Sequence, residues 1–161
     1  MVSLSSGRLF HLLLTVSRKT DMGDIEKAKE LLKSEGFTCV LCRGETLYTS
    51  EKRGVVPVLE KLEQNINLKG FSAADKVIGK AAAMLFHLAG VAAIYGEIMS
   101  VPAKEYLEKT GIDFSYGTLT DRIINRSGDG LCPMETAVSG ISDSHEGLKA
   151  IKNKLIELRK A

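Results

Sequence analysis

Residues 24–36, DIEKAKELLKSEG, carry Ile25, Ala28, Leu31 and Leu32 at helical spacing and end on Gly36, a C-terminal stop. The stretch 37–51 then switches to a two-residue alternation, which predicts two short strands around a turn at Arg43-Gly44-Glu45. A second helix is expected over 54–64, with Pro57 in its first turn. In 72–90, Ser72 and Asp75 have the spacing of a capping box, small residues follow and Gly90 closes the segment. This pattern predicts one central buried helix over 72–90. Residues 91–100, VAAIYGEIMS, are too apolar for an exposed edge and predict an interior strand. A helix over 101–111, opened by Pro102 and stopped by Gly111, leads to a strand, or a strand and a turn, over 112–124. A short helix is expected from Pro133, and a terminal amphipathic helix over 144–160. Helices and strands alternating in this way predict a layered α/β sandwich.

Composition narrows the class without changing that picture. The chain has 161 residues, 44% of them apolar and 26% charged, so one domain with a real core is expected. A net charge of +2 and the absence of Trp give no footing for a nucleic-acid surface. Apolar runs fall well short of the roughly 20 residues that span a bilayer, so no membrane partner is expected. Three cysteines, an odd number, argue against a disulfide framework and for a reducing, cytoplasmic setting. Residues 1–21 contain GRLFHLLLTVSRK, which reads either as an upstream extension or as a weak signal peptide without a small-residue cleavage site. The domain itself is expected over 22–161, with Met22 as a natural start.

Two segments hold the candidate chemistry. On a helix over 72–90, Lys76, Lys80, Ala83 and His87 fall on one stripe. Lysines near a helix N-terminus make a site for phosphate or carboxylate, unless they point to water or pair with acids. The second segment is NRSGDGLCPMET, 125–136. Pro133 places Cys132 at a helix start, where the dipole favours thiolate, and Glu135 in the first turn. Gly128 and Gly130 permit a backbone that offers N–H groups to an anion, while Asn125 and Arg126 supply hydrogen bonds and positive charge. Cys132 and Glu135, with Asp75, are therefore the candidate catalytic groups. Lys76, Lys80, Asn125, Arg126, Gly128 and Gly130 are the candidate ligand-binding set. A structural glycine turn with an inert capping cysteine fits the same residues. Cys39-Val-Leu-Cys42 has redox spacing, but on a strand the two thiols point to opposite faces and pack as small hydrophobes.

The segments GFSAADKVIGKAAAMLFHLAGVAAIYGEIMS and IINRSGDGLCPMET resemble the domain of unknown function 1893 family over Asp24 to the C-terminus. The resemblance implies a cytidine-deaminase-like fold, a three-layer α/β/α sandwich on a mixed sheet, and a homodimer. Zinc deaminases need H-x-E at one helix start and P-C-x-x-C at the next. The matching positions here are Ala74-Asp75-Lys76 and SVPAKEYL, which carry neither pattern, so no metal and no cofactor are expected. A pocket between those helix starts is expected to remain, with Asp75, Lys76 and Lys80 facing Asn125, Arg126, Cys132 and Glu135 across one cleft. The resulting expectation is a zinc-less protein that binds a nucleotide or another phosphorylated small molecule, with or without catalysis by Cys132 and Glu135. The alternative is a non-catalytic dimeric scaffold or regulatory protein.

Overall fold

A computed structural model describes residues 23–160, and the readings of residues 1–21 lie outside it. Helix α1 (Gly23–Ser34) is followed by strands β1 (Cys39–Arg43) and β2 (Thr46–Ser50), then α2 (Val56–Glu63) and β3 (Ser72–Ile78). The chain continues through α3 (Lys80–Ala89), β4 (Ala93–Ser100), α4 (Val101–Glu108) and β5 (Asp113–Thr120) to α5 (Pro133–Val138) and α6 (Ser144–Lys160). The strands form one open mixed sheet in the order β2-β1-β3-β4-β5. β1 runs antiparallel to β2 and β3, while β3, β4 and β5 are mutually parallel.

Alternation along β1 shows how the layers arise. Cys39 and Leu41 face a large core, while Val40 and Cys42 face a small one. The large core is closed by α2 through α6 and the small one by Ala28 and Leu32 of α1, which gives three layers. The two thiols of the C-x-x-C spacing therefore lie on opposite faces, both buried.

The single helix expected over 72–90 is corrected. Its first half is the central strand β3, hydrogen-bonded between β1 and β4, and the helix starts only at Lys80. The spacing of Ser72 and Asp75 imitates a capping box, but these residues pair across the sheet with Cys42 and Cys39. Sheet pairing on both sides outweighs the local helical propensity of Ala73 and Ala74, which are fully buried. The stripe of Lys76, Lys80, Ala83 and His87 is lost with that helix, because Lys76 lies on a strand and the other three on α3. α3 keeps the central role: Ala81 through Phe86 are all buried, and it packs against α2, α4, α5 and α6. Among the described residues, no helix is long and apolar enough to cross a membrane.

Candidate functional site

The segment after β5 folds back on itself. Asn125 N–H donates to the Gly130 carbonyl at 2.8 Å, Ile124 bridges Leu131, and Cys132 N–H donates to the Ile123 carbonyl at 3.0 Å. The Asn125 side chain tightens this hairpin: its amide donates to Asp129 Oδ1 at 2.9 Å and its carbonyl oxygen accepts from Asp129 N–H at 3.2 Å. Gly128 sits at φ 74°, the left-handed conformation that glycine adopts without a Cβ penalty. Asn125 and the glycines thus build the turn, and the hairpin delivers Cys132 to the head of α5. Pro133 then starts the helix as its position in the sequence predicts, although the Cys132 thiol makes no cap hydrogen bond.

Met134 and Val138 anchor the six-residue α5 in the core, which turns Glu135 toward the start of α3. Its carboxylate accepts Lys80 N–H at 2.7 Å on Oε1 and Ala81 N–H at 3.0 Å on Oε2. Ser100, which caps α4 through Ala103 N–H, points its hydroxyl at Oε1 from 3.4 Å. Glu135 thus serves as the cap of a helix 55 residues away in sequence, and accepts from the serine that caps a second one. It satisfies N–H groups that α3 cannot satisfy itself and places negative charge at the helix's positive end. Gly79 makes this possible, because a Cβ there would fall inside the Glu135 carboxyl group.

Beside this junction lies a cleft of about 610 Å3. Val55 and Val56 from the start of α2, Val77, and Leu155 and Leu158 of α6 give it apolar walls. The hairpin contributes Ile123, Ile124, Asn125, Arg126 and Cys132, while Glu135 forms part of the base and Arg53 joins from the loop before α2. Four of the expected site residues, Asn125, Arg126, Cys132 and Glu135, therefore share one cleft. Gly128 and Gly130 shape the hairpin behind it.

Asp75, Lys76 and Lys80 do not line that cleft. Lys76 gives its N–H to the Thr38 carbonyl at 3.0 Å as part of the sheet. Lys80 meets Glu135 through its backbone only, while its ammonium donates to the Val138 carbonyl at 3.0 Å. The Lys80 side chain, with His87 and Tyr106, lines a separate cleft of about 220 Å3, where Tyr106 Oη lies 2.6 Å from His87 Nδ1. Asp75 is 6% exposed and pairs in register with Cys39 on β1 and Gly96 on β4. Burial pushes its carboxyl up to about 8, against the pull of hydrogen bonds from Val77 N–H, the Cys39 thiol and Lys76 N–H. The same burial, with the Asp75 carboxyl beside it, raises the Cys39 thiol well above its ordinary value.

The sequence reading missed Arg53, Val77 and the α6 leucines as cleft residues, and Gly79 as the seat of a carboxylate. Only Gly79 carried a local signal, as a glycine between Ile78 and a run of good helix formers. Among the described residues, no three His, Cys, Asp or Glu side chains gather where a metal ion could be held. The helix starts on either side of Glu135, Gly79-Lys80-Ala81 and Ser100-Val101-Pro102, supply neither thiol nor imidazole.

The arrangement is that of an open-sheet α/β protein with a cleft lined by a glycine hairpin, the starts of α2, α3 and α5, and leucines of α6. Residues 27–155 match the family model described as Domain of unknown function (DUF1893). The chain belongs to this family. It is also similar to the crystal structure of a DUF1893 family protein from Thermotoga maritima, with a TM-score of 0.75 and 25% identity. That likeness covers 81% of this chain and 89% of the other. No curated protein matches the chain.

Proposed function

We propose that the cleft under the 123–132 hairpin binds a small organic anion of about nucleotide size. The observation that carries this is the pairing of apolar walls with two guanidinium groups, Arg53 and Arg126, around a space of about 610 Å3. Ligand sites of roughly 300–1,000 Å3 commonly combine an apolar lining with a few oriented polar groups. Guanidinium forks suit phosphate or carboxylate. The apolar walls take the body of the molecule, and the arginines take its charge. Lys76 and Lys80, expected from the sequence to supply that charge, have no part in this reading.

Binding without carboxylate chemistry is the form this reading takes. Glu135 already accepts two backbone N–H groups and faces a serine hydroxyl, so it is engaged as a structural cap. Cys132 is the thiol of the cleft. If the fold is read as deaminase-like, the Glu135 carboxylate fills the junction of the two helix starts. The working unit is proposed to be a homodimer. The test is isothermal titration with nucleoside mono- and diphosphates and with sugar phosphates. Arg126→Ala and Arg53→Ala are expected to weaken binding at least about tenfold, the loss of a charge-assisted contact, and Lys76→Ala to leave it unchanged. Binding indifferent to both arginines, or blocked by Lys76→Ala, refutes this assignment.

A further inference from the structure

Lys80 and His87 stand seven residues apart on α3 and so share one face of it. Glu105, Tyr106 and Lys109 recur at helical spacing along α4 and its C-cap. The two helices pack together, and with Ser142 from the loop after α5 these faces line the cleft of about 220 Å3. Lys80 is held in place there. Its ammonium donates to the Val138 carbonyl at 3.0 Å, and the same carbonyl accepts Ile141 N–H at 3.0 Å. An ammonium carries three N–H donors, and among the described residues this is the one contact its side chain makes. Neither Lys80 nor Lys109 pairs with a carboxylate among the described residues. Lys80 is half-buried, and a cation partly withdrawn from water is costly without a counter-charge. His87 adds a directed donor. Its Nδ1 lies 2.6 Å from Tyr106 Oη. Burial raises the Tyr106 phenol above its ordinary value, against a hydrogen bond from Ser144, and the Asp143 carboxylate adds to the rise. The phenol therefore keeps its proton and donates it to Nδ1. The proton of the neutral imidazole then sits on Nε2, the nitrogen turned away from Tyr106.

We propose that this second cleft binds a small oxyanion, either inorganic phosphate or the phosphate or carboxylate group of a small molecule. The ammonium groups of Lys80 and Lys109 supply the charge, while His87 Nε2–H and the Ser142 hydroxyl supply directed donors. Size limits the ligand. At about 220 Å3 the cleft is far smaller than the 610 Å3 of the first. It also falls below the roughly 300 Å3 at which sites for drug-sized ligands begin, so a nucleotide is too large for it. Charge limits the ligand further. With the imidazole neutral, the two ammonium groups share the rim with one carboxylate, Glu105, so the cleft suits a single anionic group and not a polyphosphate. Asp143, the next acid, is outside the lining and caps α6 by accepting Glu146 N–H at 3.0 Å. The site does not draw on the α3 N-terminus, whose N–H groups Glu135 already takes. The two clefts share no lining residue, so this proposal stands apart from the reading of the arginine cleft.

Amide-resolved NMR of the full chain, titrated with inorganic phosphate, glycerol phosphate and succinate, tests the proposal. Chloride at equal ionic strength is the control. Saturable shifts are expected at the Lys109, Thr110, Ile141 and Ser142 amides and at the His87 ring. Lys80→Gln and Lys109→Ala should each weaken binding about tenfold, the loss of one charge-assisted contact, and Arg126→Ala should leave it unchanged. Lys109 is exposed, so its variant stays informative if Lys80→Gln does not fold. A response to both phosphates and not to succinate supports the proposal and assigns the site to phosphate; a response to succinate alone supports it and assigns the site to carboxylates. No response to any of the three overturns the proposal. So do shifts that chloride reproduces, or that persist unchanged in both lysine variants. Nucleotide binding that depends on Arg53 and Arg126 is untouched by any of these results.

Discussion

Asp75→Asn is expected to remove most of the pH dependence of this protein's stability. Asp75 is buried in the middle of the sheet, and its carboxyl titrates at about 8 instead of at its ordinary value of 3.8. Because the folded state raises this value, the folded chain holds a proton that the unfolded chain releases. The stabilisation from the protonated form is complete below about pH 4 and is lost as the pH rises through 8. Between those limits stability falls by about 1.4 kcal/mol per pH unit, and over a span of about 4 units the loss comes to about 5–6 kcal/mol. That is an upper bound, since the structure can relax around the charge, yet it is a large share of the roughly 5–15 kcal/mol that holds a domain folded. Asparagine keeps the oxygen that accepts Val77 N–H at 3.1 Å and cannot ionise. The variant should match the wild type near pH 4 and exceed it by several kcal/mol at pH 9. Urea unfolding followed by circular dichroism from pH 4 to 9 measures this directly. Parallel stability profiles for the two proteins would show that the buried carboxyl is not a proton store, and would refute the reasoning.

Glu135→Ala should destabilise the protein by about 1–3 kcal/mol, the range for leaving buried donors without their acceptor, read as a lower urea midpoint. Gly79→Ala should destabilise it as well, by driving a methyl group into the same carboxyl. In the double variant the two losses should be clearly less than additive, because the carboxyl that clashes is gone; full additivity would refute the contact. Among the three cysteines, Cys132 is half-buried while Cys39 and Cys42 are buried. Native alkylation is therefore expected to label Cys132 first, by mass spectrometry, and Lys76→Ala is expected to leave its rate unchanged; early labelling of Cys39 would count against the fold as described.

The element order was largely legible in the sequence, because most segments announce both their period and their ends. α4 opens at Pro102 with Ser100 as its cap, and α6 carries an unbroken amphipathic pattern. The exception was 72–90. There Ala73, Ala74, Ala81, Ala82 and Ala83 look alike by composition, and small residues suit a crowded helix and a strand covered on both faces equally well. What separates them is Gly79, where the chain must leave room for a carboxylate contributed from residue 135. A contact between residues so far apart leaves no local period, so the helix prediction ran through the break.

The same limit explains the division among the candidate site residues. Asn125, Arg126, Cys132 and Glu135 are close in sequence, so a single hairpin and one helix turn bring them to one cleft regardless of the rest of the fold. Grouping them with Asp75, Lys76 and Lys80 required the lysines to lie on one helix face, and that face dissolved when β3 took its place in the sheet. The boundary then decides what each charged group does. One residue past it, Lys80 offers an N–H at a helix start. Four residues before it, Asp75 is sealed between two strands and holds its proton. The positive end of α3, which a sequence reading assigns to an outside anion, is already occupied by the protein's own carboxylate. In the binding reading proposed above, recognition of a ligand falls to Arg53, Arg126 and the apolar walls of the cleft, and the α3 N-terminus takes no part in it.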